Sequence, residues 1–229
     1  MVKTDRKRNH PRLLLVEGAD EVRLIPELVE ASGVRWDDDE HRVIVHLHDA
    51  GGNHELKNLI PVELTPAVRR AVGVIVDADQ SASDRWKSIR EHCLANIEGL
   101  EPGRWPVHPP AEGLVIDFEP PQGRRRLGVW IMPDNHSAGM LETFVQHLEP
   151  ESSSMSGLFE LAERACDDAA RLGAPYIAAH RPKAIIHTWL AWQDPPGRQL
   201  HDAIKQRQLD PTKPLGRAFV RWFRRLYEI

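Results

Sequence analysis

The sequence predicts an α/β protein: a mostly parallel central sheet flanked by helices, with a hairpin insertion and a helical C-terminal extension. Three observations predict it. Short apolar runs begin near residues 12, 41 and 71, and a stretch of helical periodicity follows each one. Strands alternating with helices at that rhythm build parallel sheets. After residue 100 the rhythm breaks at a Pro- and Gly-rich segment holding two more apolar runs, and beyond residue 150 the pattern is helical.

The first strand is RLLLVEG, residues 12–18, an apolar run stopped by Glu17-Gly18. In the helix that follows, Val22, Ile25, Val29 and the pair Leu24 and Leu28 recur at helical spacing up to a stop at Gly33. Pro26 fits that helix only near its start, where a missing N–H costs nothing. The second strand, 41–52, ends at Asp49 before two glycines, and a short helix opens near Asn53. The third strand is AVGVIVDAD, and Ser81 or Ser83 caps the helix after it.

Residues 103–135 read as the hairpin insertion. Apolar runs 113–118 and 127–132 flank a turn with Pro120, Pro121 and Gly123, and Arg124, Arg125 and Arg126 stand at its mouth. The second run ends in Asp134, and a helix carrying Glu142 follows. A polar linker, 150–156, leads to a helix over 157–172 with Leu158, Leu161, Ala165 and Ala169 facing inward. The stretch after His180 reads as a helix or as a strand that turns. The last helix is amphipathic, with Leu215, Phe219, Trp222, Phe223 and Leu226 as its stripe. Residues 11–149 and 150–229 thus form a domain and an extension packed on it.

At 229 residues, 41% hydrophobic and 28% charged, the chain has an ordinary soluble composition, and no apolar run reaches membrane-spanning length. Its basic start reads as a lead-in without a signal-peptide core. Two distant cysteines, Cys93 and Cys166, argue against a zinc ribbon or a disulfide framework and point to the cytoplasm. With a net charge of -4, a nucleic-acid partner requires a local basic surface or bridging metal ions.

Acids end four of the apolar runs: Glu17, Asp49, Asp77 with Asp79, and Asp134. In parallel sheets, ligands collect beyond the carboxyl ends of the strands. Carboxylates gathered there raise one another's pKa unless a cation joins them. Hard oxygen donors suit Mg²⁺ or Mn²⁺. A single acid at a strand end is more often a cap or a turn residue, and Asp49 before Gly51 and Gly52 fits that role. The pair Asp77 and Asp79 exceeds what one cap requires. On one strand they would share a face and repel each other, so a divalent metal between them accounts for both.

LLLVEGADE and VIVDADQ, with Glu17-Gly18 and the D-x-D of Asp77 and Asp79, resemble the two signature motifs of the Toprim domain. GVWIMPDNHSAGMLE is similar to a variant in small stand-alone bacterial Toprim-like proteins related to OLD-family nucleases. The resemblance spans roughly residues 11–149. It implies a Toprim-like, Rossmannoid fold and an Mg²⁺- or Mn²⁺-dependent nuclease acting on DNA or RNA, in phage defence or repair. Glu17 would then serve acid–base chemistry or bind metal, and Asp77 and Asp79 would bind metal. Glu21, one helical turn after Glu17, would add a ligand, with Asp20 as its competitor or as an N-cap. Glu142 and Lys183 match later family positions, as ligand and as basic catalytic residue, and Asp134 completes the acidic set. Two metals held by such acids would activate water and stabilise the leaving oxygen, and Lys183 would neutralise charge developing on the phosphate.

Backbone phosphates would meet Arg124, Arg125, Arg126, Arg181 and Lys183, each of which also fits a plain solvated face. Trp130, Trp189 and Trp192 fit base stacking less well than core packing. His46 and His48 share a strand face but have no third ligand at suitable spacing. Two other classes stay open: a nucleotide or small-phosphate enzyme on the same fold, and a non-catalytic partner of a separate ATPase. The chain itself has no P-loop.

Overall fold

The computed structural model describes residues 10–37, 42–150 and 153–229, without the side chains of 153–156. The expected basic lead-in therefore lies largely outside the described residues. Five strands form one sheet in the order β2-β1-β3-β5-β4. They are β1 (Arg12–Val16), β2 (His46–Asp49), β3 (Ala71–Asp77), β4 (Leu114–Phe118) and β5 (Arg125–Met132). All neighbours run parallel except β4, which is antiparallel on the edge.

The chain is thus α/β, with helices on both faces of a mostly parallel sheet. Side chains alternate along the strands, as a two-residue period requires. Leu13, Leu15, Val72, Val74, Val76, Val129 and Ile131 belong to one core. It is closed by α2 (Asn53–Leu64) and α3 (Ala82–Asn96). Leu14, Val16, Ile75, Trp130 and Met132 belong to the other core. There the cover comes from α1 (Ala19–Glu30), α4 (Leu141–Gln146), α5 (Ser153–Arg171), α6 (Arg181–Ala191), α7 (Leu200–Lys205) and α8 (Pro214–Tyr227).

Several sequence expectations change in detail. The second strand proper starts at His46, and Val43 before it makes only an isolated bridge to Asp37. Pro26 lies in the interior of α1, not at its start. The hairpin is real, with Asp117 opposite Arg126, but β5 is no peripheral insertion. It pairs in parallel with the whole of β3, and its nearly unbroken burial is that of an interior strand. The helix placed at 157–172 already runs from Ser153, which leaves little of the linker. Its buried stripe is Phe159, Ala162 and Cys166, and Leu161 is 43% exposed. Residues 181–191, left open between helix and strand, are helical.

The terminal helix reaches the sheet itself. Gly73 on β3 and Gly128 on β5 are register partners. A Cβ on Gly73 would stand 2.5 Å from the Tyr227 hydroxyl, and one on Gly128 would stand 2.6 Å from Leu226 Cδ2. The two glycines form a saddle into which α8 settles. Tyr227 Oη donates to the Leu13 carbonyl at 2.7 Å, and Trp222 Nε1 donates to the Leu114 carbonyl at 2.9 Å.

Candidate functional site

Glu17 follows the last residue of β1, and Asp77 is the last residue of the neighbouring β3. The Asp77 backbone N–H donates to Glu17 Oε1 at 3.0 Å. Asp77 Oδ1 in turn accepts the Leu141 N–H at 2.9 Å, where α4 begins. Sixty residues of sequence separate the first pair and sixty-four the second, so the sheet edge is what joins them. Glu21 in the first turn of α1 and Glu142 in the first turn of α4 are 6% and 3% exposed. Lys183, in the first turn of α6, lies 3.2 Å from Glu142 Oε1 and 3.7 Å from Asp20 Oδ2.

These acids sense one another. Burial first, then the charges of Glu17, Glu21 and Glu142, push Asp77 up to about 8. Burial, then Glu142, Glu17 and Asp20, push Glu21 up to about 7. Glu17 is raised as well, mainly by burial, against the opposing pull of the Asp77 N–H and of Arg85. Burial works against the Lys183 ammonium, but Glu142, Asp20 and Glu21 outweigh it and raise its pKa.

The D-x-D is divided. Strand β3 ends at Asp77, and Asp79 sits in the left-handed region with φ of 53°. The two side chains therefore do not share a strand face. Asp79 is exposed and ion-paired with Arg85, whose Nε also donates to the Asp77 carbonyl at 2.8 Å. Backbone bonds between Asp79 and Gly139 fix this bend. Asp134, two residues past the end of β5, is bonded into the turn that follows. Its carboxylate accepts the N–H groups of His136 and Ser137 and the Ser137 hydroxyl at 2.7–2.9 Å. Burial works upward there, but those bonds win and lower its pKa. Its role is to hold a turn, as Asp49 does by accepting the Gly51 N–H.

Of the basic candidates, Arg125 is corrected outright. It is fully buried, and its guanidinium donates to the carbonyls of Leu64, Pro66, Gly123 and Arg124. A side chain so enclosed closes the ends of loops and cannot reach a nucleic-acid backbone. Arg124 and Arg126 both pair with Asp117, Arg126 also with Glu228, and Arg181 pairs with Asp167. Trp130 and Trp189 are core residues, whereas Trp192 is 42% exposed. Arg85 was not foreseen. Its place in a polar, amphipathic helix resembles any solvated arginine, and only the fold shows it reaching back over β3.

A family model described as a protein of unknown function, DUF3226, matches residues 11–228. The chain belongs to the DUF3226 family. No curated protein and no solved structure matches it. The matched span runs from the residue before β1 through α8, so in DUF3226 the terminal helices belong to the same unit as the sheet.

A divalent metal can be tested against this DUF3226 site. Among the described residues no group of three or more His, Cys, Asp or Glu side chains is arranged to hold a metal ion. The donors are nevertheless of the right kind. Glu17, Glu21, Asp77 and Glu142 are buried or half-buried hard oxygen donors, and Lys183 is the cation paired with one of them. Such an excess of negative charge in a poorly solvated place fits a hard dication that keeps some of its own waters.

Proposed function

We propose that this DUF3226 protein is an Mg²⁺- or Mn²⁺-dependent phosphodiesterase acting on nucleic acid. The supporting observation is the contact from Glu17 to the Asp77 N–H, which ties two strand-end acids into one cluster with Glu21 and Glu142. When bound, a divalent cation supplies Lewis acidity at a phosphoryl oxygen and acidifies water. Glu17, Glu21, Asp77 and Glu142 would hold it. The protein's own residues do the rest. Lys183 stands beside Glu142 with its ammonium about half exposed, able to meet a phosphate oxygen. Arg85 fixes the backbone carbonyl of Asp77 and the carboxylate of Asp79, which keeps the end of β3 in place. Phage defence or repair is the setting that the Toprim resemblance implies.

Calorimetric titration with Mn²⁺ tests the cation. Binding is expected for the wild type and at least a tenfold loss for Asp77→Asn. Plasmid, single-stranded DNA and RNA test the activity. Lys183→Met is expected to bind Mn²⁺ while cutting at least a hundredfold more slowly. No heat with either Mg²⁺ or Mn²⁺ overturns the proposal.

One observation favours a second reading, a nucleotide or small-phosphate hydrolase. A cleft of about 490 Å³ lies beside the site, lined by Asp79, Ser81, Asp84, Arg85 and Ala179. That volume suits a small ligand. Turnover of nucleotides with no cutting of any polymer would decide for it.

A further inference from the structure

The opposite end of the sheet carries the opposite charge. A cavity of about 380 Å³ opens where β1, β3 and β5 begin, and five arginines against two acids line it. We propose that this cavity is a second site, binding a phosphate-bearing small molecule of nucleotide size. It is independent of the metal reading and stands or falls on separate residues.

Apart from the enclosed Arg125, the arginines divide into two sets. Arg126 is held by both oxygens of Asp117, its partner across the β4–β5 ladder, and by Glu228. Arg124 leans on the same Asp117 at 3.0 Å. These ion pairs make a fixed wall. Arg12 and Arg70 make no side-chain hydrogen bond or ion pair among the described residues, yet both line the cavity. Arg70 is also the like charge that, after burial, lowers the pKa of the enclosed Arg125. Two unpaired guanidiniums backed by a positive wall form an electrostatic well for an anion. The planar fork of each matches phosphate oxygens two at a time. The volume falls within the range of small-molecule pockets and exceeds what a lone phosphate fills. The acids of the wall can accept hydrogen bonds from the remainder of the ligand.

The site is separate from the acidic edge. Strand β3 begins with Ala71 at the cavity and ends with Asp77 at the cluster. Seven residues at about 3.3 Å each set the two roughly 20 Å apart, beyond the span of one nucleotide.

The test uses the full chain with ADP, inorganic phosphate and a ten-nucleotide single-stranded DNA as probes, titrated calorimetrically at low salt. ADP is expected to bind more tightly than phosphate and to weaken as NaCl rises. Arg12→Gln with Arg70→Gln should weaken ADP at least tenfold without lowering Tm, because neither side chain gives up a bond to the described residues. Asp77→Asn, or EDTA, should leave ADP affinity unchanged. Four outcomes overturn the proposal: no ADP binding at millimolar concentration, ADP binding indifferent to the double variant, phosphate binding as tightly as ADP, or DNA alone binding.

Discussion

Asp77 donates its backbone N–H to Glu17 and accepts the Leu141 N–H on its side chain, so strand, neighbouring strand and helix meet at one residue. The arrangement holds the carboxyl where burial and three other acids oppose its ionisation. The folded-state pKa of Asp77, about 8, lies above the ordinary 3.8, and that of Glu21, about 7, lies above 4.5. Between these limits the folded protein holds more protons than the unfolded chain, so stability from these groups is full at low pH and is lost as pH rises. In EDTA, Tm should fall by about 5–10 °C from pH 5 to pH 8, taking ~2–4 °C per kcal/mol for a chain of this size. Asp77→Asn should flatten that slope, and Mn²⁺ should reverse it in the wild type only. An unchanged slope in the variant would mean that Asp77 is not the group that titrates. Glu17 and Asp77 were legible at this scale because an apolar run stopping at an acid is a local pattern. The divided fates of Asp77 and Asp79 were not, because the point where β3 stops depends on Gly139, sixty residues downstream.

Elements are held by what faces them, and that is where sequence reading lost ground. The run 127–132 was legible as a strand, but its parallel partner β3 is remote in sequence and no local signal names it. No local signal explains why glycine stands at Gly73 and Gly128, inside two strands. Their reason is α8, whose Leu226 and Tyr227 occupy the space that a Cβ would need. Gly128→Ala places its methyl 2.6 Å from Leu226 Cδ2, and Leu226 is fully buried and has nowhere to turn. Overpacking of this kind costs about 1–3 kcal/mol, more than the ~0.4–1 kcal/mol that alanine returns by restricting the unfolded chain. Urea unfolding should therefore show a lower midpoint with little change in slope. Gly128→Ala with Leu226→Ala should recover part of the steric term, though it forfeits the buried leucine. A lone Gly128→Ala as stable as the wild type would place α8 further from the sheet than described.

For the whole molecule, the division at residue 150 becomes a question of cooperativity. Read from the sequence, 150–229 is an extension on a domain that ends at 149. In the structure α8 covers one face of the central strands. Phe219, Trp222, Phe223 and Leu226 join Leu14, Ile75 and Trp130 in a single core, with Trp130 packed edge-on against Phe219 at 5.4 Å. Lys183, which stands against Glu142 in the acidic cluster, also comes from this stretch. A fragment 10–149 would expose that apolar face and would lose the Tyr227 and Trp222 hydrogen bonds to β1 and β4. At ~25 cal/mol per Å² of apolar surface, baring even a few hundred Å² costs several kcal/mol, comparable with the ~5–15 kcal/mol that holds a whole domain folded. The fragment is accordingly expected to lack a cooperative thermal transition and to bind a hydrophobic dye, whereas the full chain unfolds in one step seen alike by tryptophan fluorescence and far-UV circular dichroism. Cooperative unfolding of the fragment near the Tm of the full chain would return 150–229 to the status of an appendage. It would also remove the reason for Gly73 and Gly128 to be glycine.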